Sequence, residues 1–184
     1  MALELNGTTG VSLVQDGVIT DANLPAGSVL QVVQTVKTDT FSSNSTSTFV
    51  DITGMSVAIT PSNASNKILV MYSLCSSVVD GGFAMWCRLV RDSTDIAQGT
   101  PSGNIISATT GALSASGAAN YPVYVQNMTF LDSPATTSAT TYKLQGRGWN
   151  GVAGLFYVNR SASEANSINY ARLVSTITAM EIAA

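Results

Sequence analysis

The chain has 184 residues, with eight Lys and Arg, eleven Asp and Glu, no His, and a formal net charge of −3 at pH 7. Hydrophobic residues make up 45% of the sequence and charged residues only 10%. Because His, clustered carboxylates and metals carry most proton transfer and nucleophile activation, this composition disfavours an enzyme and assigns no catalytic residue. A polysaccharide depolymerase stays open as the enzymatic alternative, since two carboxylates distant in sequence can converge on one sugar.

Several classes of partner and location are disfavoured by the same composition. The basic residues are scattered, so no stripe for nucleic acid forms, and no apolar run is long enough for a membrane-spanning helix. The first six residues lack the basic and apolar regions of a signal peptide, so we expect synthesis in a cytoplasm. The Asn-x-Ser/Thr sequons are then by-products of an Asn-, Ser- and Thr-rich composition; they begin at Asn6, Asn44, Asn63, Asn127 and Asn159.

Two thiols, Cys75 and Cys87, lie in apolar, strand-like surroundings. A disulfide forms if their strands pair in register, whereas a reducing cytoplasm favours two buried free thiols. Two Cys residues without His cannot build an ordinary structural zinc site, and we expect neither a metal nor a cofactor. Asp92 and Asp95 suggest a calcium site, but a solvated turn explains them as well, because Ca²⁺ needs many more oxygen ligands.

Residues 1–27 differ in pattern from the rest of the chain. Their short apolar pieces are separated by turn signals such as Asp16-Gly17 and cannot bury a core alone. We therefore predict a segment that packs against copies of itself or against another protein; a flexible tail is the alternative. The side chains expected to make these contacts are Leu3, Leu5, Val11, Leu13, Val18, Ile19 and Leu24.

Residues 28–184 read as strand after strand. Alternating or continuous apolar patterns predict about eight strands over residues 29–36, 48–59 with a break at Gly54, 67–79, 83–90, 121–131, 140–145, 154–158 and 170–182. Residues 39–47 read as a polar loop, and residues 98–120 as a surface loop or a weak edge strand. The pattern predicts an all-β antiparallel sandwich, with a jelly roll among its natural topologies.

The high apolar content also bears on self-association. Residues 67–79 are nearly all apolar, which predicts burial on both faces of that strand. A second subunit or a covering loop would each produce this pattern. Large apolar patches rarely stay exposed on soluble monomers, so we expect an oligomer; a compact monomer with an uncharged polar surface is the alternative.

Glycan binding commonly uses an aromatic face beside amide and hydroxyl donors. Trp149, with Asn150 and Arg147 in a glycine-rich loop over residues 146–151, is the best such group in the sequence. The alternative is that Trp149 folds back and packs on the sandwich. Trp86, beside Cys87 in a predicted strand, is expected in the core because large aromatic side chains usually serve packing.

Several segments, taken in order, carry a resemblance to a known family. They are Asn6-Gly-Thr-Thr-Gly-Val-Ser, Gln15-Asp-Gly-Val-Ile-Thr-Asp-Ala-Asn-Leu, Gly27-Ser-Val-Leu-Gln-Val-Val-Gln, Thr60-Pro-Ser-Asn-Ala-Ser-Asn-Lys-Ile-Leu, Phe130-Leu-Asp-Ser-Pro-Ala-Thr-Thr, Tyr157-Val-Asn-Arg-Ser and Ile177-Thr-Ala-Met-Glu-Ile. Together they resemble small structural proteins of tailed phages, which are common in phages of aquatic bacteria. The resemblance covers almost the whole chain. It implies a homotrimeric fibre tip in the virion, with a jelly-roll head similar to the C1q/TNF class.

The sequence therefore predicts a non-enzymatic virion protein, a short fibre or fibre knob. Residues 1–27 would dock to other virion proteins, and the head of residues 28–184 would bind a host-surface receptor, which we expect to be a glycan. A capsid decoration or cement protein that stabilises the phage head is the main alternative.

Overall fold

The computed structural model describes residues 24–79, 84–114, 122–149 and 155–184. These residues contain eleven strands and no helix, which confirms the all-β prediction. The strands are β1 (Val29–Lys37), β2 (Phe41–Ser43), β3 (Val50–Ile59), β4 (Lys67–Val78), β5 (Ala84–Arg91), β6 (Thr94–Ile96), β7 (Thr110–Leu113), β8 (Tyr124–Asp132), β9 (Thr140–Gly148), β10 (Phe156–Val158) and β11 (Ser175–Ile182).

The strands form two antiparallel sheets packed face to face. Sheet A contains β1, β11, β4, β8, β10 and β2, and sheet B contains β3, β9, β5, β6 and β7. The eight principal strands pair first with last along the chain: β1 with β11, β3 with β9, β4 with β8, and β5 with β7. A long hairpin wrapped in this way is a jelly roll, as the sequence predicted.

Short strands and strand ends are where the sequence predictions are wrong. β2 lies inside the predicted polar loop, β6 lies in a predicted turn, and β11 begins at Ser175 instead of at residue 170. β7 realises the weak edge strand expected within residues 98–120. β9 continues through the predicted glycine-rich loop to Gly148, because Gly146 faces the core. A Cβ on Gly146 would lie 2.8 Å from atoms of Met85 and Phe156, so only glycine fits there.

The predicted break at Gly54 is a distortion inside a continuous strand. β3 spans this position, but its pairing with β9 shifts register between Asp51 and Ser56. Gly54 has a φ of +83°, in the left-handed region that glycine adopts without strain. The irregularity is therefore a bulge that bends the strand.

The core lies between the sheets and consists of apolar side chains from both. Its largest fully buried members include Tyr142, Phe156, Met55, Ile68, Leu74, Met85, Leu89, Leu144 and Ile177. β4 contributes alternate residues to this core, while Leu69, Met71, Ser73 and Cys75 point outward and are half-buried. The predicted burial on both faces is thus confirmed only at residues 76–78 and is wrong for the rest of β4.

Sheet A contains an internal junction where two strands are interrupted. β11 pairs with residues 67–73 of β4 and β10 with residues 76–78, so β10 and β11 lie end to end beside β4. On the side away from β4, β1 pairs with β11 and β2 pairs with β10, so β1 and β2 also lie end to end. The sheet is therefore interrupted at the same height in two neighbouring strand positions. The backbone groups at such a break need partners from a side chain.

Asn159 supplies those partners and fills the junction. Its side chain is fully buried, and its Nδ2 donates to the carbonyls of Lys37 at 2.8 Å and Asp39 at 3.0 Å. Its Oδ1 accepts from Ser175 Oγ at 2.6 Å, and its backbone N–H donates to the Cys75 carbonyl at 2.9 Å. The φ of Asn159 is +62°, a conformation that Asn tolerates better than most residues. This sequon position is therefore a structural one.

The two ends of the sandwich differ in which segments of the chain meet there. At one end, the base, Gly27 N donates to the Ala183 carbonyl and Ala183 N donates to the Ser28 carbonyl, both at 2.9 Å. The strands that begin or end at Val78, Ala84, Leu113, Tyr124, Gly148 and Phe156 meet at the opposite end, the apex. Leu24 is exposed near the base; the other six predicted attachment side chains lie outside the described residues, and their role stays a prediction.

A buried carboxylate organises the base. Glu181 is 1% exposed, and its Oε1 accepts from Ser62 N at 2.7 Å, Ser62 Oγ at 2.8 Å and Asn66 Nδ2 at 2.7 Å. Its Oε2 accepts from Gln31 Nε2 at 2.5 Å. Burial alone would raise the pKa of the Glu181 carboxyl, but the hydrogen bonds from Asn66, Gln31 and Ser62 outweigh it and lower the pKa below its ordinary value of 4.5.

Replacing the junction amide should destabilise the whole head. Asn159→Asp places a carboxylate against two carbonyl oxygens and removes both donors, so we expect a loss of about 2 to 4 kcal/mol in the free energy of unfolding. Urea unfolding at pH 7 measures it. The matched control is Asn166→Asp in an exposed loop, which should change stability by less than about 0.5 kcal/mol. Equal effects of the two substitutions would contradict the assignment.

Glu181 should make stability depend on pH below 4.5. Because its folded-state pKa is lowered, its stabilisation is fully present above the unfolded value of 4.5 and is lost as pH falls through the folded-state value. Glu181→Gln should therefore cost about 1 to 3 kcal/mol at pH 7, and this difference from the parent chain should shrink as pH falls below 4.5. Denaturant unfolding across pH 3 to 7 tests the sign; a pH-independent difference would refute it.

Candidate functional site

Two of the three predicted receptor-binding residues, Arg147 and Trp149, lie on or beside the outer face of sheet B. Arg147 lies in β9, and its cross-strand partner in β5 is Trp86. Directly opposite residues in an antiparallel pair share a face and have neighbouring side chains, so the structure places Trp86 beside Arg147. Trp149 follows the end of β9, is 44% exposed, and donates its backbone N–H to the Ala84 carbonyl at 2.8 Å. Asn150 lies outside the described residues.

The prediction that Trp86 is a core residue is wrong. In β5 the buried side chains of Met85, Cys87 and Leu89 point inward, so the intervening Trp86 points outward and is half-buried. Its ring lies against Gly111 of β7, where a Cβ would sit 2.5 Å from the Trp86 Cε3. Strict two-residue alternation in the sequence was the signal that could have placed Trp86 on this face.

Two arginines, Arg88 and Arg147, lie on the same face of sheet B as Trp86, and they have different hydrogen-bond partners. Arg88 donates from Nε to Gln145 Oε1 at 2.8 Å and from Nη1 to Asp95 Oδ2 at 2.5 Å, and its guanidinium lies 4.5 Å from the centre of the Phe49 ring. Arg147 donates from Nε to the Thr46 carbonyl at 2.7 Å. No carboxylate among the described residues pairs with Arg147, whose guanidinium is held at the Thr46 carbonyl. We call Phe49, Trp86, Arg88, Arg147 and Trp149 the aromatic–basic surface.

The carboxylates of sheet B are engaged by neighbouring protein groups. Asp51 accepts from Lys143 Nζ at 2.9 Å and from Gln145, and the hydrogen bond from Lys143 holds the pKa of Asp51 below its usual range although partial burial opposes it. Asp92 Oδ1 accepts from the Thr141 backbone N–H at 2.8 Å, while Asp95 pairs with Arg88. Within the described parts of the chain, no three His, Cys, Asp or Glu side chains gather as a metal site.

The outer face of sheet A has the opposite character. Cross-strand pairing aligns outward side chains from β1, β11, β4 and β8 in rows: Val32, Met180, Leu69 and Leu131; Gln34, Thr178, Met71 and Thr129; Val36, Thr176, Ser73 and Asn127. None of these twelve side chains carries a charge, and we call these three rows the uncharged face; Lys67 lies on the same side of β4, nearer the base. Val32 and Leu131, at its two sides, remain 53% and 49% exposed.

The two thiols are free, because Cys75 and Cys87 belong to different sheets and point to different environments. Burial raises the pKa of Cys87 to about 12, and Cys87 faces the core. Burial also raises the pKa of Cys75, which lies half-buried beside the uncharged face and contacts the Val174 carbonyl through its Sγ at 3.4 Å. Neither thiol is therefore set up as a reactive thiolate.

Across the described residues, no helix is long and apolar enough to span a membrane. No protein-family model matches the chain, and no curated protein matches it. Among solved structures, the chain is similar to a chain in the structure of infectious bursal disease virus, Gt strain. The two chains are 17% identical, the TM-score is 0.43, and the match covers 83% of this chain and 38% of the viral chain. It is also similar to the VP2 subviral particle of that virus, with 18% identity and a TM-score of 0.38 over 83% and 38% of the two chains. The chain thus spans well under half the length of these proteins.

Proposed function

We propose that this protein is a non-enzymatic structural component of a tailed-phage virion, a short trimeric fibre or fibre knob that binds a host-surface glycan. The resemblance of the sequence to small phage structural proteins supports the virion location. The jelly-roll head, with one uncharged outer face and one aromatic–basic outer face, supports a division between self-association and recognition.

The observation that carries the proposal is the separation of base and apex. Residue 27 enters the head at the base, beside Ala183, while Trp149 lies at the apical end of β9. A head held through residues 1–27 would therefore direct Trp149 and Arg147 away from the particle. Attachment and recognition then occupy opposite ends of one small domain.

The uncharged face supplies a surface for contact between copies. One of its rows, Val32, Met180, Leu69 and Leu131, is wholly apolar, and large apolar patches are rarely left open to water on soluble proteins. In a closed ring of three, each copy would use this face twice, with its β1 side against one neighbour and its β8 side against the other. Val32 and Leu131, exposed on those two sides, would then become buried.

Recognition by three heads compensates for weak single sites. The side chains of the aromatic–basic surface lie on the outside of the sheet, so each head would bind a sugar weakly. Three heads on one fibre, and several fibres on one particle, raise the effective affinity without any new contact.

Light scattering on the purified chain tests the assembly. We expect a mass near three times 19.1 kDa. Val32→Glu and Leu131→Glu each place a charge in the contact, so we expect at least about a hundred-fold weaker association, with mostly monomer at micromolar concentration. The matched control, Ala58→Glu, adds the same charge on the exposed outer face of sheet B and should leave the mass unchanged. A monomeric parent chain would refute the trimer.

Deletion of residues 1–27 tests the attachment. We expect the truncated head to fold, to remain soluble and to be absent from assembled particles, because the docking side chains are removed. Immunogold labelling of particles carrying the full chain should mark the tail. Normal incorporation of the truncated head would refute the docking role, and labelling over the capsid would replace the fibre by a decoration protein.

A further inference from the structure

A cleft opens on the outer face of sheet B, between Trp86 and the loop that joins β6 to β7. β6 pairs with residues 89–91 of β5 and β7 with residues 84–87, so the two short strands lie end to end beside β5. The chain between them, residues 97–109, leaves the sheet as a loop. This loop and the Trp86 side chain enclose a cleft of about 360 Å³, within the size range of small-molecule sites.

Hydrogen bonds within the loop fix its shape. Near its two ends, Gly99 N donates to the Ala108 carbonyl at 3.1 Å. At its tip, Ile105 N donates to the Ser102 carbonyl at 2.9 Å and closes a tight turn. Gly103 lies in that turn with a φ of +55°, a left-handed conformation that glycine adopts without strain. A site on such a loop is preformed, which reduces the entropy that a ligand must offset on binding.

The wall of the cleft is mainly apolar. The indole of Trp86 and the side chains of Ile105, Ile106 and Ala108 contribute to it. Ile105 is 69% exposed and has no part in the core between the sheets, so its side chain is available to a ligand. A ligand that buries an apolar group against this wall would bind favourably, because removing apolar area from water lowers the free energy.

One hydroxyl in the cleft can donate a hydrogen bond to a ligand. Thr109 lines the cleft, and its Oγ1 accepts from the Leu89 backbone N–H and from Gln98 Nε2, both at 2.9 Å. A hydroxyl group has two acceptor positions and one donor, so both acceptor positions of Thr109 are occupied. Within the described part of the chain, the Thr109 O–H meets no acceptor. The cleft therefore offers a donor beside its apolar wall.

The described side chains that line the cleft are uncharged, and this narrows the ligand class. A charged ligand would lose hydration there without gaining an ionic partner. A neutral pyranose matches the lining better, because its C–H face suits an aromatic ring and its oxygens can accept from Thr109. The apolar wall further favours a ring that carries methyl in place of hydroxymethyl, since an unpaired hydroxyl buried there would cost free energy.

We propose that this cleft binds a neutral deoxyhexose, a hexopyranose with methyl in place of the exocyclic hydroxymethyl group. The C–H face of the sugar stacks on Trp86, its methyl group contacts Ile105, and one of its oxygens accepts from Thr109. This inference rests on the proposed host-surface function and specifies the ligand class and the site.

An NMR titration tests the site directly. The chain contains only Trp86 and Trp149, so the isotope-labelled protein should show two indole N–H signals, which backbone assignment identifies. Methyl α-L-rhamnoside and methyl α-L-fucoside are the probes, and methyl α-L-mannoside and methyl α-L-galactoside are their hydroxymethyl counterparts. At least one deoxy sugar should shift the Trp86 signal with a millimolar Kd. It should bind at least about fourfold more tightly than its counterpart, as expected for one buried methyl group.

Paired substitutions test the apolar wall. Ile105→Ser should reduce the difference between the deoxy sugar and its counterpart to less than about twofold, because the methyl group loses its contact. Ile168→Ser is the matched control: it makes the same change at a fully exposed side chain in the loop between β10 and β11, and it should leave both affinities unchanged. Gly111→Ala should weaken both sugars, since its Cβ would lie 2.5 Å from the Trp86 ring and displace it. Unaltered thermal unfolding of the two Ile→Ser variants keeps the comparison valid even if Gly111→Ala folds poorly.

The outcomes separate this inference from the proposed function. Shifts confined to Trp149 would refute the cleft and leave glycan binding at the apex standing. Equal affinities of the parent chain for each deoxy sugar and its counterpart would refute recognition of the methyl group. An equal loss in Ile105→Ser and Ile168→Ser would refute the role of Ile105. If no sugar moves either signal, the cleft proposal fails, while the trimer and its attachment are decided by light scattering and particle labelling.

Discussion

The head depends on how the break in sheet A is closed. Two neighbouring strand positions are interrupted at one level, and a single buried amide, that of Asn159, bonds the backbone on both sides of the gap. Without it, the carbonyl of Lys37 would lose its donor at a buried position, and the carbonyl of Asp39 would lose its donor at a partly buried one. The amide therefore lets each position be built from two shorter strands, and the loop between β10 and β11 can leave the sheet without opening the core.

Sheet B also contains an interrupted strand position. β6 and β7 lie end to end beside β5, and the loop between them rises over Trp86. In both sheets the strand position at the edge is divided between two short strands. The chain between such strands forms loops on the surface of the sandwich. The outer faces of the two sheets also differ in charge. The outer face of sheet B carries arginines and the groups that bind them, whereas the uncharged face of sheet A carries no charged side chain. One fold thereby offers two chemically distinct surfaces back to back.

The two-residue period of apolar side chains was sufficient to predict the fold class and most long strands. It failed for β2 and β6, because each of these three-residue strands contains a single apolar side chain and so shows no period. For the candidate site, the receptor-binding role of Arg147 and Trp149 stays a prediction. Trp86 was assigned to the core from its residue type, although alternation places it on the outer face of sheet B. Asn159 was beyond prediction, because its partner Lys37 lies 122 positions away in sequence.

The meeting of Gly27 and Ala183 at the base has an evolutionary consequence. The polypeptide enters the head and completes its last strand at the same point, through backbone hydrogen bonds that any sequence can make. A recombination event that exchanges the stretch between Gly27 and Ala183 as one cassette would place both of its joints at this one point of the fold. The head can therefore be replaced in one step without any change to the residues that precede Gly27.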